Sequence, residues 1–148
     1  MRTVYLAGTM EGRSYEECVT ERNVAKMLLN QRGIRVLDPL RGKEYLAGKI
    51  INRDEKPNGV YIGEIIARDK YDLERSDLLL ILTGDVPSDG TWLEYGYAKY
   101  MLDIPVVLIA PLRIGKNGWS NHEATYIAKS LEDAVKWIVD YFFYVEPY

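Results

Sequence analysis

The chain has 148 residues, a net charge of −3 and an apolar content of 47%, which is typical of a soluble globular protein. No broad basic surface forms at this charge, so the composition argues against a nucleic acid polymer as a partner. The longest apolar runs, DLLLILTG and IPVVLIAP, are too short to cross a membrane. One cysteine and one histidine leave no internal disulfide and no structural zinc site. We therefore expect a cytoplasmic protein without a metal, and MRTVYLAG predicts a strand rather than a signal peptide.

Short apolar runs alternate with helical patterns along the chain. In order they predict a strand at 3–8, a helix at 15–32, a strand at 34–39, a helix at 60–75, a strand at 77–84, a helix at 91–102, strands at 104–111 and 124–130, and a helix at 130–143. Continuous apolar strands are typical of a parallel sheet buried on both faces. The pattern predicts one α/β domain over 1–148 with a mostly parallel five-stranded sheet. The polar stretch 38–58 predicts a long loop, which we interpret as a lid over a pocket.

Polar residues cluster in three loops that follow predicted strands, namely GTMEGRS, TGDVPSDGTWLE and PLRIGKNGWSNHE. Because the carboxyl ends of parallel strands share one edge of the sheet, these loops should meet at one crevice. The candidate binding residues in them are Gly8, Thr9, Met10, Arg13, Ser88, Asp89, Gly90 and Asn121. GTMEGR matches a phosphate loop only weakly, because it lacks the dinucleotide fingerprint and the Walker lysine.

Two interpretations fit Glu94, the last residue of the second of these segments. Thr91 and Glu94 have the spacing of a capping box, in which both residues serve only to cap a helix; Ser130 and Asp133 repeat that pattern at the last helix. Alternatively, Glu94 lies at the mouth of the crevice, where the positive end of the helix favours an ionised carboxylate. Such a carboxylate can attack a sugar carbon.

A structural and a functional interpretation are also open for Asp69 and Asp72 in the segment ARDKYDLERSD. Asp72 fits a solvated helix face, on which it pairs with Arg68 and Arg75. Asp69 becomes interesting only if it turns toward the crevice, where two carboxylates would push one pKa upward. His122, in a polar loop, is interpreted as a surface residue.

Three segments resemble, in order, the nucleoside 2-deoxyribosyltransferase family. They are VYLAGTM at the first strand, RDKYDLERSDLLLILTG leading into the third, and SDGTWLEYGYAKYMLDIPVVLIAP. The Gly-Thr-x-x-Glu-x-Gly-x-Ala core, followed by the Pro-Val-Val strand, is the most specific part. The resemblance covers most of the chain and implies a flavodoxin-like, three-layer α/β sandwich.

The resemblance also implies a reaction and its catalytic residues. Glu94 would attack the anomeric carbon of a 2'-deoxynucleoside, and a free nucleobase would then take the sugar from the covalent deoxyribosyl-enzyme with retained stereochemistry. Asp69 lies eight residues before Asp77, which opens the third strand, and would handle the proton on the base. Tyr5 would orient the nucleophile.

This chemistry needs no metal or organic cofactor. Family members form dimers or hexamers in which neighbouring subunits help to close the pocket, and the 12 tyrosines suit such interfaces. We therefore expect a homo-oligomer with shared active sites. In some members a terminal tyrosine reaches an active site with its carboxylate, so Tyr148 is a binding candidate; the alternative is a frayed terminus.

Ser88 marks a departure from the family pattern. Members often carry an aspartate at this position, whereas the related deoxynucleoside-monophosphate N-hydrolases have a serine that contacts the 5'-phosphate. Thr9 and Arg13 would join Ser88 around a phosphate, although Glu11 in the same loop would repel it. Hydrolysis of nucleoside 5'-monophosphates is therefore the alternative reaction. A third interpretation is a non-catalytic nucleotide-binding module on the same fold.

Overall fold

The computed structural model describes residues 1–52, 62–82, 89–109 and 123–144, and only the backbone of residues 62 and 89. These ranges contain five strands and four helices, which are β1 (Thr3–Gly8), α1 (Tyr15–Asn30), β2 (Arg35–Leu37), α2 (Ile62–Glu74), β3 (Leu78–Leu82), α3 (Asp89–Gly96), β4 (Val106–Ile109), β5 (Tyr126–Ala128) and α4 (Leu131–Trp137). A 3₁₀ turn spans Glu44–Leu46, and α3 and α4 continue into π-helical turns at Tyr97–Met101 and Ile138–Phe142. None of the described helices is long and apolar enough to span a membrane.

The sheet has the strand order β2-β1-β3-β4-β5, and every adjacent pair is parallel. This order is that of a flavodoxin-like, doubly wound sheet. The predicted fold class, a mostly parallel five-stranded α/β sandwich, is therefore confirmed. β1 has its predicted bounds, β2 and β5 are shorter than predicted, and β3 and β4 begin one and two residues later than predicted.

Side-chain alternation along β1 separates two cores, one on each face of the sheet. Val4 and Leu6 join the cluster that contains residues of α1 and α4. Tyr5 and Ala7 join the cluster that contains residues of α2 and α3. All six residues of β1 are buried, as expected for a central strand of a parallel sheet covered by helices on both faces.

Gly8 ends β1 at a point where a side chain would not fit. Its φ is +153°, and a Cβ at this position would lie 2.2 Å from the carbonyl oxygen of Leu82 on the neighbouring strand. Gly8 and Leu82 pair in the sheet. Glycine therefore lets β1 and β3 stay paired up to the edge at which the loops begin.

Serine side chains begin two of the helices. Ser14 accepts a hydrogen bond from the Glu17 amide (3.1 Å), and Ser130 accepts one from the Asp133 amide (3.0 Å). The predicted cap at Ser130 is confirmed. The Asp133 carboxylate accepts from the Lys129 amide at 2.9 Å, so it satisfies a backbone donor just outside the helix.

The interpretation of Asp72 as part of a solvated helix face is wrong. Its side chain is fully buried and accepts a hydrogen bond from the Arg75 guanidinium at 2.8 Å. Arg41, from the loop after β2, makes an ion pair with its second carboxylate oxygen, Oδ2, although the contact lacks the angle of a hydrogen bond. Arg68, which was expected to pair with Asp72, contacts Asp69 instead. Asp72 therefore ties the loop to α2 from inside the protein.

Candidate active site

A cavity of about 320 Å³ opens at the carboxyl end of β1, between the loop after β2 and the helices α2 and α3. This volume and position are typical of small-molecule sites in parallel α/β sheets. The described residues that line it are Gly8, Met10, Glu11, Leu40, Lys43, Tyr45, Leu46, Ile51, Asn52, Ile65, Ile66, Asp69, Gly90, Thr91, Leu93 and Glu94. Four of them carry charge, and three of these four are acidic.

Glu94 enters the cavity from α3. The residue is half-buried, and its Oε2 atom is buried without a hydrogen-bond partner among the described residues. Since α3 already begins at Asp89, Thr91 lies inside the helix and not at the N-cap. The capping-box interpretation is therefore wrong. A buried carboxylate oxygen without a donor is costly to folding and is typical of a functional site.

Tyr5 lies beside Glu94, on the core side of the cavity. Its side chain is fully buried on β1, and its hydroxyl also lacks a hydrogen-bond partner among the described residues. Burial raises the pKa of Tyr5 far above its ordinary value, and the nearby Glu94 charge adds to the effect. The two groups interact electrostatically, but their geometry is not that of a formed hydrogen bond. Tyr5 therefore holds an unused donor next to an unused acceptor.

Burial raises the pKa of Glu94 from 4.5 to about 7. The Tyr5 hydroxyl lowers the pKa, the charge of Asp69 raises it further, and the charges of Arg22 and Lys43 lower it. Desolvation thus outweighs the helix end, which was expected to keep this carboxylate ionised. Burial thus moves the pKa of Glu94 from the acidic range to near neutral pH.

Asp69 and Lys43 are the other two charged groups at the centre of the site. Asp69 turns inward from α2, and burial raises its pKa against the opposing charges of Lys43 and Arg68. Lys43 is half-buried, and burial lowers its pKa against the attraction of Asp69. The sequence reasoning did not single out Lys43. The only signal was its place in the stretch predicted to cover a pocket.

The described part of that stretch, residues 38–52, forms a wall of the cavity. Arg68 of α2 donates hydrogen bonds to the carbonyl oxygens of Pro39 (2.8 Å) and Arg41 (3.1 Å). Leu46 and Ile51 pack inward in one apolar cluster. The wall is therefore attached to α2 and to its own small core. The rest of the predicted lid, residues 53–58, lies outside the described residues.

Arg22 of α1 is a buried cation that holds the ends of β1 and β2 together. Its guanidinium donates to the carbonyl oxygen of Gly8 at 3.1 Å and to the Asp38 carboxylate at 2.9 Å. Lys26 approaches the other oxygen of Asp38 at 3.0 Å. Burial acts to raise the pKa of Asp38, but these cations and the Leu40 amide hold it below its ordinary value. A charged pair thus supports the strand end that carries Gly8.

The structure brings together only some of the residues expected at the site. Those that line the cavity are Gly8, Met10, Asp69, Gly90 and Glu94, and Tyr5 contributes from the core side. Thr9 is buried and Arg13 is half-exposed, and neither lines this cavity. Arg13 donates to the Glu21 carboxylate at 2.8 Å and to the Thr9 carbonyl oxygen at 3.1 Å.

The remaining candidates cannot be positioned as side chains. Ser88, Asn121 and Tyr148 lie outside the described residues, as does His122, and Asp89 is described by its backbone alone. Their roles stay predictions. Within the ranges that the structure covers, no group of three or more His, Cys, Asp or Glu residues could hold a metal ion.

No family model matches the sequence, and no curated protein matches it. Solved structures do match along nearly the whole chain. A 2-deoxyribosyltransferase from Bacillus psychrosaccharolyticus is 21% identical, with a TM-score of 0.69 over 99% of this chain and 98% of that one. A 2-deoxyribosyltransferase from Leishmania mexicana is 16% identical, with a TM-score of 0.63 over 95% and 99%. A CMP N-glycosidase from Clostridium botulinum is 15% identical, with a TM-score of 0.58 over 93% and 98%. At these identities the likeness establishes the fold, and the neighbours include the family that the sequence resembles.

Proposed function

We propose that this protein cleaves the N-glycosidic bond of 2'-deoxynucleosides and transfers the 2-deoxyribose to a second nucleobase. The observation that carries the proposal is the Glu94 carboxylate at the cavity, whose buried Oε2 has no hydrogen-bond partner among the described residues. A carboxylate that lines a cavity without a salt-bridge partner among the described residues is what a sugar-directed nucleophile requires. The fold likeness to two 2-deoxyribosyltransferases supports the same class of chemistry.

In the first half-reaction, an ionised Glu94 oxygen forms a bond to C1' while the bond from C1' to the base nitrogen breaks. The electron pair of that bond goes to the base. Asp69, which lines the same cavity and whose pKa is raised by burial, gives the leaving base its proton. The products are a neutral base and a deoxyribosyl ester of Glu94.

The second half-reaction reverses these steps with a different base. A ring nitrogen of the incoming base attacks C1', the ester bond to Glu94 breaks, and the proton of the base passes to the Asp69 carboxylate. Two inversions at C1' give overall retention of configuration. Tyr5 assists by orienting the Glu94 carboxylate through its hydroxyl, since no other described group occupies that donor. No step requires a cofactor.

Hydrolysis of nucleoside 5'-monophosphates is the second candidate, and the fold likeness to a CMP N-glycosidase favours it. The residues that line the described cavity favour instead a substrate whose sugar carries no 5'-phosphate. Three of its lining side chains are acidic, Glu11 among them, and one is basic. Arg13, expected to hold a phosphate, is engaged with Glu21. Among the described lining residues, a phosphate dianion would therefore find a single cation, Lys43, together with the carboxylate of Glu11.

The test is a paired assay with pure protein. We expect 2'-deoxyinosine with adenine or thymine to give the corresponding new deoxynucleoside. Glu94→Ala should abolish this product, while Glu132→Ala, at an exposed position on α4, should retain it. Release of base from deoxyinosine 5'-monophosphate, with none from deoxyinosine, would select the second candidate. Inactivity towards both donors would refute both reactions.

Association of several copies forms part of this proposal. Leu93, Tyr100 and Met101 are exposed along the helix that carries Glu94, and Leu93 also lines the cavity. An apolar face next to a pocket suits an interface in which a neighbouring subunit helps to close the site, as a dimer or within a hexamer. Light scattering should give a mass of at least twice 17.0 kDa. A monomer that is fully active would contradict shared sites.

A further inference from the structure

We propose that Lys43 donates a hydrogen bond to the nucleobase. The site then prefers bases with a carbonyl oxygen, such as 6-oxopurines, over the matching amino bases. This inference rests on the proposed function, since it assigns a role to the base that leaves from C1'. Three observations carry it: a wall of the cavity that comes from a different element than Glu94, the apolar character of that wall, and the presence of Lys43 on it.

The direction of attack determines where the base lies. A carboxylate displaces a base from the side of C1' opposite to the breaking bond. Glu94 comes from α3, so we expect the base to lie against elements of the cavity other than α3. The wall formed by residues 38–52 lines the cavity from a different element, and Lys43 belongs to it.

The character of that wall suits a flat ring. Leu40, Tyr45, Leu46 and Ile51 all line the cavity from this one segment. Leu46 and Ile51 are buried in the same apolar cluster, and Tyr45 packs against it. Bases are planar and largely apolar on their faces, whereas deoxyribose carries hydroxyl groups, so the wall fits the base better than the sugar.

Lys43 is the one cation among the described lining residues. Its ammonium makes no hydrogen bond or ion pair with another described side chain, although it lies close enough to feel the charges of Asp69 and Glu94. An ammonium offers donors only. It can therefore donate a hydrogen bond to a carbonyl oxygen on the ring. An exocyclic amino group at the same position is itself a donor, so the two groups could not form a hydrogen bond.

The reaction strengthens this preference. As the bond from C1' to nitrogen breaks, its electron pair spreads over the base and, in an oxo-base, onto the carbonyl oxygen. A fixed positive charge beside that oxygen stabilises the transition state more than the ground state. Asp69 supplies the proton to the ring nitrogen in the same step, so the two side chains act on different atoms of the base.

The experiment compares 2'-deoxyinosine with 2'-deoxyadenosine, which differ at the 6-position in carrying an oxo or an amino group. We expect the wild-type kcat/KM to favour deoxyinosine by about ten- to a hundredfold, the range of one charge-assisted hydrogen bond. Lys43→Met should reduce this ratio to within about threefold by slowing deoxyinosine alone. Lys43→Gln, which offers both a donor and an acceptor, should relax the preference by also improving deoxyadenosine, while Lys43→Arg should keep it.

The controls separate failure of this inference from failure of the proposed function. Lys49→Met, at an exposed position outside the cavity on the same loop, should leave the ratio unchanged. A wild-type ratio near one, or a ratio that survives Lys43→Met, would overturn the role of Lys43 while leaving deoxyribosyl transfer intact. No consumption of either donor would overturn the function itself. Calorimetric binding to Glu94→Gln protein gives a readout without turnover: replacing Lys43 by Met in that background should weaken deoxyinosine binding about tenfold, and equal binding would refute the proposal.

Discussion

Glu94 and Asp69 reach one cavity from two different helices, and burial raises the pKa of both carboxyl groups. The charge of Asp69 adds to the raised pKa of Glu94. Two carboxyl groups in one partly desolvated space resist double ionisation, so one tends to keep a proton while the other is an anion. A nucleophile and a proton donor can thus arise from similar side chains.

The first prediction concerns the pH dependence of turnover. Since the nucleophile must be ionised and the pKa of Glu94 is raised to about 7, kcat/KM should fall about tenfold per pH unit below pH 7. The measurement is kcat/KM for deoxyinosine between pH 5 and 9 at constant ionic strength. A profile that is flat from pH 5.5 to 8 would show that Glu94 does not titrate in this way.

The second prediction concerns stability. The folded pKa of Glu94, about 7, lies above its ordinary value of 4.5, so between these pH values the folded state holds the extra proton. The wild type should therefore lose stability as the pH rises from 4.5 to 7, and the loss should be complete above 7. Glu94→Gln removes this cost, which is about 2 kcal/mol after allowance for partial exposure.

Urea unfolding at pH 8 and at pH 4.5 checks this. Glu94→Gln should be more stable than the wild type at pH 8 and equal to it near pH 4.5. Glu132→Gln, at an exposed carboxylate, should produce no such pH-dependent gain. An inactive but equally stable Glu94→Gln protein at pH 8 would argue against a strained, desolvated carboxylate.

The third prediction tests Asp69 as the proton donor. Asp69→Asn should slow the release of hypoxanthine from deoxyinosine by about a hundredfold or more, since the base then leaves without a proton. A 2-deoxyriboside of p-nitrophenol needs little protonation and should lose much less. Asp140→Asn, at an exposed pair on the last helical turn, should change neither rate. Equal losses on both substrates would assign Asp69 to binding instead.

The fourth prediction concerns the wall of the cavity. Asp72 is buried between Arg75 and Arg41, so Asp72→Ala leaves two guanidinium groups without their partner and frees the loop from α2. We expect a loss of about 2 to 3 kcal/mol of unfolding free energy and a higher KM. Asp140→Ala, which breaks an exposed pair, should cost less than about 0.5 kcal/mol. Comparable costs would mean that the buried ion pair contributes little.

The fifth prediction concerns Gly8. A methyl group there would collide with the Leu82 carbonyl oxygen, so Gly8→Ala should destabilise the fold by about 3 kcal/mol or more and reduce activity. Gly33 also has a positive φ, but a Cβ there would meet nothing within 4 Å. Gly33→Ala should cost only about 1 kcal/mol. Similar Tm values for the two variants would show that β1 and β3 can separate without harm.

Local patterns carried the prediction of the fold. Continuous apolar runs are visible in the sequence at β1, β3 and β4, and they are buried on both faces in the sheet. Short-range signals such as the Ser130 cap were equally clear in the sequence. The ends of the strands were harder to predict, because a run of apolar residues does not reveal where pairing with a neighbouring strand stops.

The site was only partly predictable. Glu94 and Asp69 could be singled out from motif spacing and resemblance, but the raised pKa of Glu94 depends on burial by distant elements. Asp72 was misjudged because its partner Arg41 comes from 31 positions earlier in the chain. Lys43 was missed because the local sequence of a polar loop does not distinguish a lysine that lines a cavity from one on the surface.

The alternation along β1 couples correct pairing of the sheet to chemistry. Tyr5 stands beside Glu94 only because odd-numbered side chains of this strand point to the α2 and α3 face. A slip by a single residue would send the phenol to the opposite layer and leave Leu6 against the carboxylate. Misaligned chains would then be badly packed and would also lack the phenol beside the carboxylate at the candidate site.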